Sequence, residues 1–391
     1  MRILVYLFIP FLLILTSCKK DQQKRELTID VEQKSINEFQ IIGSHNSYRK
    51  MTYEPLFDFV MSIQELLPDQ FNPEQWDYFH YPLQKQLQSF GIRNFELDIF
   101  NDPQGGNFYY RRGLSFVNED EASGIDELLN PGFKILHLPD FDYETHNYTF
   151  KSALTEIRDW STSNPNHFPI IIMVEAKNSG ISDYSPLVGM TEVIPYDATS
   201  PELLDAEVKE VFGENLNGII TPDKFRGDYA SINEALKERG WPKLADARGK
   251  ILFVIQGSSL KSFYLQGRPN LEDRAMFIFG EPGQAHTAMV IRNNPVSSYE
   301  EIKELVKKGY IVRTRADANT DEARSGDTHR RDIAFASGAQ IISTDYYRAD
   351  PRSDTSENWS NYEVSFDNEA VGRWNPMFSQ KENTDFLYIY K

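Results

Sequence analysis

Short apolar runs separated by longer polar stretches set the pattern of this chain. Eight stand out: Phe39 to Ile42, Ile92 to Phe100, Phe133 to Leu138, Ile170 to Glu175, Ile251 to Gln256, Ala275 to Phe279, Tyr310 to Arg315 and Gln340 to Asp345. Their lengths and their β-branched and aromatic content suit strands. IIIMVE and ILFVIQ are almost continuously apolar, as expected of parallel strands covered on both faces. Between the runs, helical signs appear around Pro201 to Phe212, Ser231 to Arg239, the amphipathic stretch Ser298 to Lys308, and Arg330 to Ser337 before the helix-stopping Gly338. Alternating strands and helices predict an α/β fold, a TIM-barrel-like (β/α)8 barrel, with an open parallel sheet as the alternative. Thr287 to Arg292 is a further strand candidate that competes with Ala275 to Phe279.

The first 35 residues break this pattern. Arg2 precedes the apolar run Ile3 to Leu15, which is followed by Thr16-Ser17-Cys18 and the polar stretch KKDQQKRE. A basic start and an apolar segment too short for a bilayer span read as an export signal. LTSC resembles the signal of bacterial lipoproteins, in which cleavage precedes the cysteine, so Cys18 is the expected lipidation site. The chain then divides into a signal peptide (1–17), a flexible tether (18–35) and a single catalytic barrel domain with a C-terminal extension (36–391). This places the mature protein at the bacterial cell envelope, exported and lipid-anchored to a membrane, periplasmic or surface-exposed. Cys18 is the only cysteine, so no disulfide contributes to stability.

Charge narrows the partners. The formal net charge is −17, and Arg2 leaves with the signal, which makes the mature chain still more acidic. An acidic chain argues against nucleic acid and against charge-driven adhesion to an anionic membrane, though it permits a local basic pocket. A monomer is the expected state.

The chemically useful residues fall at the C-terminal ends of the runs, and in a parallel barrel those ends share one rim. His45 and Asn46 follow the first run, His137 ends the third, Glu175 the fourth and Asp345 the eighth. Glu96 and Asp98 are two apart on the second run. The strand period puts both on one face, with Phe95, Leu97 and Ile99 on the other. Arg313 and Arg315 form another same-face pair, and Lys177 follows Glu175 by two. Carboxylates on strands that otherwise read as core are costly unless paired or metal-bound. Three carboxylates and the Asn46 oxygen are hard ligands that suit calcium or magnesium, with mixed oxygen ligation leaning toward calcium. One histidine can take a proton from an attacking hydroxyl while the other gives one to a leaving oxygen. Lys177, Arg313, Arg315 and Asp345 are the candidate substrate contacts. His80, His146 and His167 lie in loop-like polar contexts and read as surface residues.

These residues carry a resemblance. GSHNSY with His45 and Asn46, ELD with Glu96 and Asp98, His137, and VEAK with Glu175 occur in the order seen in calcium-dependent phosphatidylinositol-specific phospholipases C. IVRTRADANTDEARSGDTHRRDIAFASGAQIISTDYY also resembles bacterial members of that family. The likeness spans roughly residues 36 to 350. It implies a distorted TIM barrel, Ca2+ as cofactor, and a phosphoinositide or a soluble inositol phosphodiester as substrate. The implied reaction is attack of the inositol 2-hydroxyl on its neighbouring phosphate, giving diacylglycerol and an inositol 1,2-cyclic phosphate. His45 would be the general base and His137 would assist proton transfer and stabilise the pentacovalent state. Asn46, Glu96, Asp98 and Glu175 match the family's calcium ligands.

Departures from the family pattern are also visible. A long insertion separates Asp98 from His137 and contains FYYRRG, read as a substrate flap from which Arg111 or Arg112 would reach phosphate. Residues 178–250 have no assigned role, and the length leaves no room for an accessory lipid-binding or C2-like domain. Trp359, Trp374, Phe378, Phe386 and Tyr390 read as packing over the barrel's helices. Two competing readings remain: a glycerophosphodiester phosphodiesterase, and a non-catalytic surface lipoprotein that binds a glycan or inositol. The first usually has His-Arg where this chain has His45-Asn46.

Overall fold

A computed structural model describes residues 31–67, 72–183, 189–366, 370–378 and 388–389. The export signal and Cys18 lie outside the described residues, as do Phe386 and Tyr390. The strands are β1 (Phe39–Ser44), β2 (Asn94–Phe100), β3 (Lys134–Ile135), β4 (Ile170–Ala176), β5 (Ile251–Gln256), β6 (Phe277–Ile278), β7 (Met289–Ile291), β8 (Ile311–Arg315) and β9 (Ile341–Thr344). All except β3 run parallel, in the order β6-β5-β4-β2-β1-β9-β8-β7. A parallel bridge from Phe279 to Met289 joins the two ends, so the sheet is a nearly closed barrel of eight strands with helices outside.

Seven of the eight predicted runs are barrel strands. The exception is Phe133 to Leu138. Only Lys134–Ile135 is extended there, and it pairs antiparallel with the end of β2 through Ile99 and Phe100. The eighth barrel strand is instead β7, within Thr287 to Arg292. β6 and β7 are joined by residues 279–288 with no intervening helix. Without that helix the strand–helix alternation sets Thr287 to Arg292 in competition with Ala275 to Phe279, whereas both are barrel strands.

Local chemistry explains the outer layer. Thr149 caps the helix Phe150–Ser163: its side chain accepts from Ser152 N at 3.1 Å, and Ser152 Oγ accepts from Thr149 N at 3.3 Å. Such a cap is worth about 1 kcal/mol. Phe150, Ala153, Leu154, Ile157 and Trp160, at three- and four-residue spacing, are buried on one face. The helix Ser200–Phe212 packs beside it. Ile232–Glu238, Tyr299–Lys307 and His329–Ala336 lie where helical signs were read.

A second, smaller core forms over the rim. Leu56 and Val60 of the helix Glu54–Ser62 meet Phe100, Phe108, Leu114, Leu136, Leu138 and Phe141. The insertion after β2 is therefore folded into the scaffold. The opposite end is closed by the C-terminal extension, where β10 (Gly372–Trp374) pairs antiparallel with β1 and with β11 (Tyr388–Ile389). Trp359 is buried, with the Arg324 and Arg352 guanidinium carbons 4.3 and 3.9 Å from its ring centre. Residues 31–35, at the end of the segment read as tether, pack on the domain: Val31 is buried, Glu32 pairs with Arg248 and Ser35 bridges to Lys243.

Candidate active site

His45 follows the last residue of β1, and its backbone N–H donates to Thr344 O of β9 at 2.9 Å. Asn46 turns the chain away with φ of 46°, a left-handed conformation that asparagine tolerates. The imidazole Nδ1 lies 2.8 Å from Asp345 Oδ1. Burial pushes the Asp345 carboxyl up, but the His45 and Arg315 charges outweigh it and hold Asp345 far below the usual carboxylate range. An ionised carboxylate only accepts, so Nδ1 carries the hydrogen and Nε2 is left for chemistry. Nε2 stands 3.4 Å from Arg315 Nη1 and 3.7 Å from Glu96 Oε1. The other Asp345 oxygen takes Arg315 Nη2 at 2.7 Å.

His137 is built the same way on different elements. It is not the end of a barrel strand. β3 runs back along β2, and the turn Leu138 to Asp142, closed by reciprocal 3.0 Å backbone bonds, carries His137 onto the rim. Its Nδ1 lies 2.7 Å from Asp142 Oδ2, a buried carboxylate held by Arg49. Burial lowers the His137 pKa more than Asp142 raises it.

The acidic residues sit deeper. The register places Asp98 directly beside Glu175 on β4. Glu96 is paired with Arg313, and Asp98 Oδ2 is 3.3 Å from Lys177 Nζ. Asp98 Oδ1 is buried and has no hydrogen-bond partner. Burial, then Asp98 and Glu96, push Glu175 up to about 8. Among the described residues, no three His, Cys, Asp or Glu side chains converge on a single metal position. The donor set nevertheless fits a hard divalent cation: three carboxylates and an amide at adjoining strand ends, with one buried carboxylate oxygen of Asp98 unpartnered.

A cleft of about 350 Å3 opens over these groups and is lined by His45, Asn46, Trp76, Tyr78, His137, Lys177, Arg315 and Asp345. Of the four residues read as substrate contacts, Lys177 and Arg315 face it. Asp345 lines it too, but both its oxygens are engaged by His45 and Arg315. Arg313 does not line it: its guanidinium binds Glu96, Ser343 and Asn293. Arg111 of the insertion is bound to Glu144 and Tyr148, and neither it nor Arg112 lines the cleft.

Several supporting residues escaped the sequence reading. Asp142 lies in a turn with no periodic signal. Tyr78 lies on a loop, and its hydroxyl accepts from Asn46 Nδ2 at 2.9 Å and is 3.3 Å from His45 Nδ1. His80 and His167, read as surface, are buried. His80 Nε2 donates to His45 O at 2.7 Å, and half-buried His146 donates to His80 O at 2.8 Å.

A parallel barrel whose rim carries two carboxylate-backed histidines beside an acidic cluster defines a phosphodiester-cleaving enzyme of the barrel type. The sequence agrees: residues 35–376 match the family described as phosphoinositide phospholipase C, Ca2+-dependent, and the chain belongs to it. Its fold is similar to the calcium-dependent phosphoinositol-specific phospholipase C of Pseudomonas sp., at 16% identity, TM-score 0.49, over 86% of this chain and 97% of that one. The corresponding enzyme of Streptomyces antibioticus shows 15% identity and TM-score 0.48 over 84% and 99% of the two chains. A glycerophosphoryl diester phosphodiesterase of Parabacteroides distasonis shows 11% identity and TM-score 0.28 over 82% and 87%. No protein of curated function matches the sequence.

Proposed function

We propose that the chain cleaves phosphatidylinositol, or a soluble inositol phosphodiester, by attack of the inositol 2-hydroxyl on the adjacent phosphate. The products would be diacylglycerol (or the corresponding alcohol) and an inositol cyclic phosphate. The observation that carries this reading is the pair His45 and His137 on one cleft, each with Nδ1 held by a buried carboxylate. His45 Nε2 takes the proton of the attacking hydroxyl, and Asp345 stabilises the imidazolium that forms. His137, protonated on both ring nitrogens with its Nδ1–H held by Asp142, gives the Nε2 proton to the leaving oxygen. Arg315 and Lys177, both cations on the cleft wall, meet the phosphate oxygens. Asn46, Glu96, Asp98 and Glu175 would hold Ca2+, which when bound neutralises phosphate charge and acidifies a bound hydroxyl.

The family's calcium dependence, the intact donor set and the intact histidine pair support this reading together. A calcium-titrated assay against inositol- and glycerol-containing phosphodiesters, with product identification, tests it. An inositol cyclic phosphate is expected. Glycerol 3-phosphate from glycerophosphodiesters, with no cyclic product, would replace it with the glycerophosphodiesterase reading. Attachment through Cys18 at the cell envelope belongs to the same proposal. Cys18→Ser should move the protein from the membrane fraction to the soluble one.

A further inference from the structure

Behind the cleft lies a buried ion pair that belongs to neither the acidic cluster nor the strand ends. Arg49 is fully buried. Its Nε and Nη2 lie 2.9 and 2.7 Å from Asp142 Oδ2, Nη2 also donates to Thr52 Oγ1 at 2.9 Å, and Nη1 donates to Tyr78 O at 2.8 Å. Thr52 Oγ1 donates to the other Asp142 oxygen at 2.8 Å. A buried pair of this kind seldom repays its desolvation in stability alone. Here one oxygen of the pair has a further partner: the Asp142 Oδ2 that Arg49 grips also accepts the His137 Nδ1–H. Burial pushes the Asp142 carboxyl up, yet Arg49, His137 and Thr52 outweigh it and hold it below its ordinary value.

We propose that Asp142 and Arg49 are the positioning pair of His137: Asp142 keeps the ring as the Nδ1–H tautomer with Nε2 toward the cleft, and Arg49 keeps Asp142 ionised and aimed. Neither residue lines the cleft, so both act through His137. The same guanidinium lies 4.4 Å from the centre of the Tyr78 ring, whose hydroxyl reaches His45 Nδ1. Arg49 is thus a shared support of both histidines. The catalytic meaning of the pair rests on the reading of His137 as a proton-transfer group, while the tautomer is a property of the protein without substrate.

The test uses the full chain with 15N-labelled histidine. Long-range 1H–15N NMR near neutral pH reports which nitrogen of His137 bears hydrogen. The wild type is expected to show Nδ1–H. Asp142→Asn, which turns an acceptor into an amide able to donate, should shift His137 to the Nε2–H tautomer. It should also lower kcat roughly a hundredfold or more, with KM within about threefold. Arg49→Lys, which keeps the charge but loses the fork, should retain Nδ1–H with a smaller drop in kcat. A neutral wild-type His137 with hydrogen on Nε2 and none on Nδ1 overturns the proposal without any variant. So does a folded Asp142→Asn protein whose His137 tautomer is unchanged. If the wild type cleaves no inositol phosphodiester, the functional reading fails while the NMR result still decides the tautomer.

Discussion

His45 and His137 each offer one ring nitrogen to the cleft because the other is committed to a buried carboxylate. This sharpens what a substitution does. His45→Ala removes the proposed base but leaves Asp345 paired with Arg315. Turnover should fall by roughly 10² to 10⁴, with a melting temperature close to that of wild type. Near-normal turnover in the variant would remove His45 from the mechanism. His80 makes a different prediction. Burial holds its pKa at about 3, well under the roughly 6.5 of an exposed imidazole. Between those values the unfolded chain takes up a proton that the folded chain refuses. The contribution of neutral His80 is therefore complete above about pH 6.5 and is lost as pH falls toward 3. Urea midpoints across that range should fall with pH. They should fall less steeply in His80→Gln, which keeps an N–H donor for His45 O. An identical slope in the variant would assign the acid sensitivity to other groups.

At the scale of elements, the site depends on how closely β1 approaches β2. The two strands pair only through Gly43 with Asn94 and Ser44 with Phe95. A Cβ on Gly43 would lie 2.3 Å from Asn94 Oδ1. The Asn94 amide is anchored on Ile171 O at 3.0 Å and cannot simply swing away. Gly43→Ala should cost about 1–3 kcal/mol, read from denaturant midpoints, and Asn94→Ala in the same chain should recover part of it. Full tolerance of Gly43→Ala would show that the strands can separate freely. The element scale also explains the misread strand. Phe133 to Leu138 and Thr287 to Arg292 are equally apolar, and apolarity does not tell an antiparallel arm from a barrel strand. What separates them is pairing. β2 gives one edge to β4 along its length and the other to β1 only at its start, which leaves its end free for β3.

For the whole molecule, charge and metal are linked. The chain carries −17 and concentrates three carboxylates at the rim. A cation held there binds the folded state alone and should stabilise it by about 2.7 kcal/mol at a hundred times its dissociation constant. Calcium should therefore raise the melting temperature of wild type, and the gain should shrink in Asp98→Asn. An unchanged melting curve at millimolar calcium would argue against these ligands. The insertion after β2 acts at this scale too. Gly113 lies so close to Asp140 O that a Cβ would stand 2.2 Å from it. The insertion thus packs beneath the turn that presents His137.

The apolar runs determined seven of the eight barrel strands, and pairing decided the eighth. The spacing of Glu96 and Asp98, with Glu175 on another run, determined that acids would gather at one rim. Both follow from strand period and from the shared direction of parallel strands, which are local properties. Tertiary structure alone decided which acid each histidine would have. Asp345 reaches His45 from the far end of the chain and Asp142 reaches His137 across a turn, and neither contact leaves a periodic trace. It also decided that Arg313 serves Glu96 and not the cleft, because a strand face shared by two arginines does not say how deep each lies.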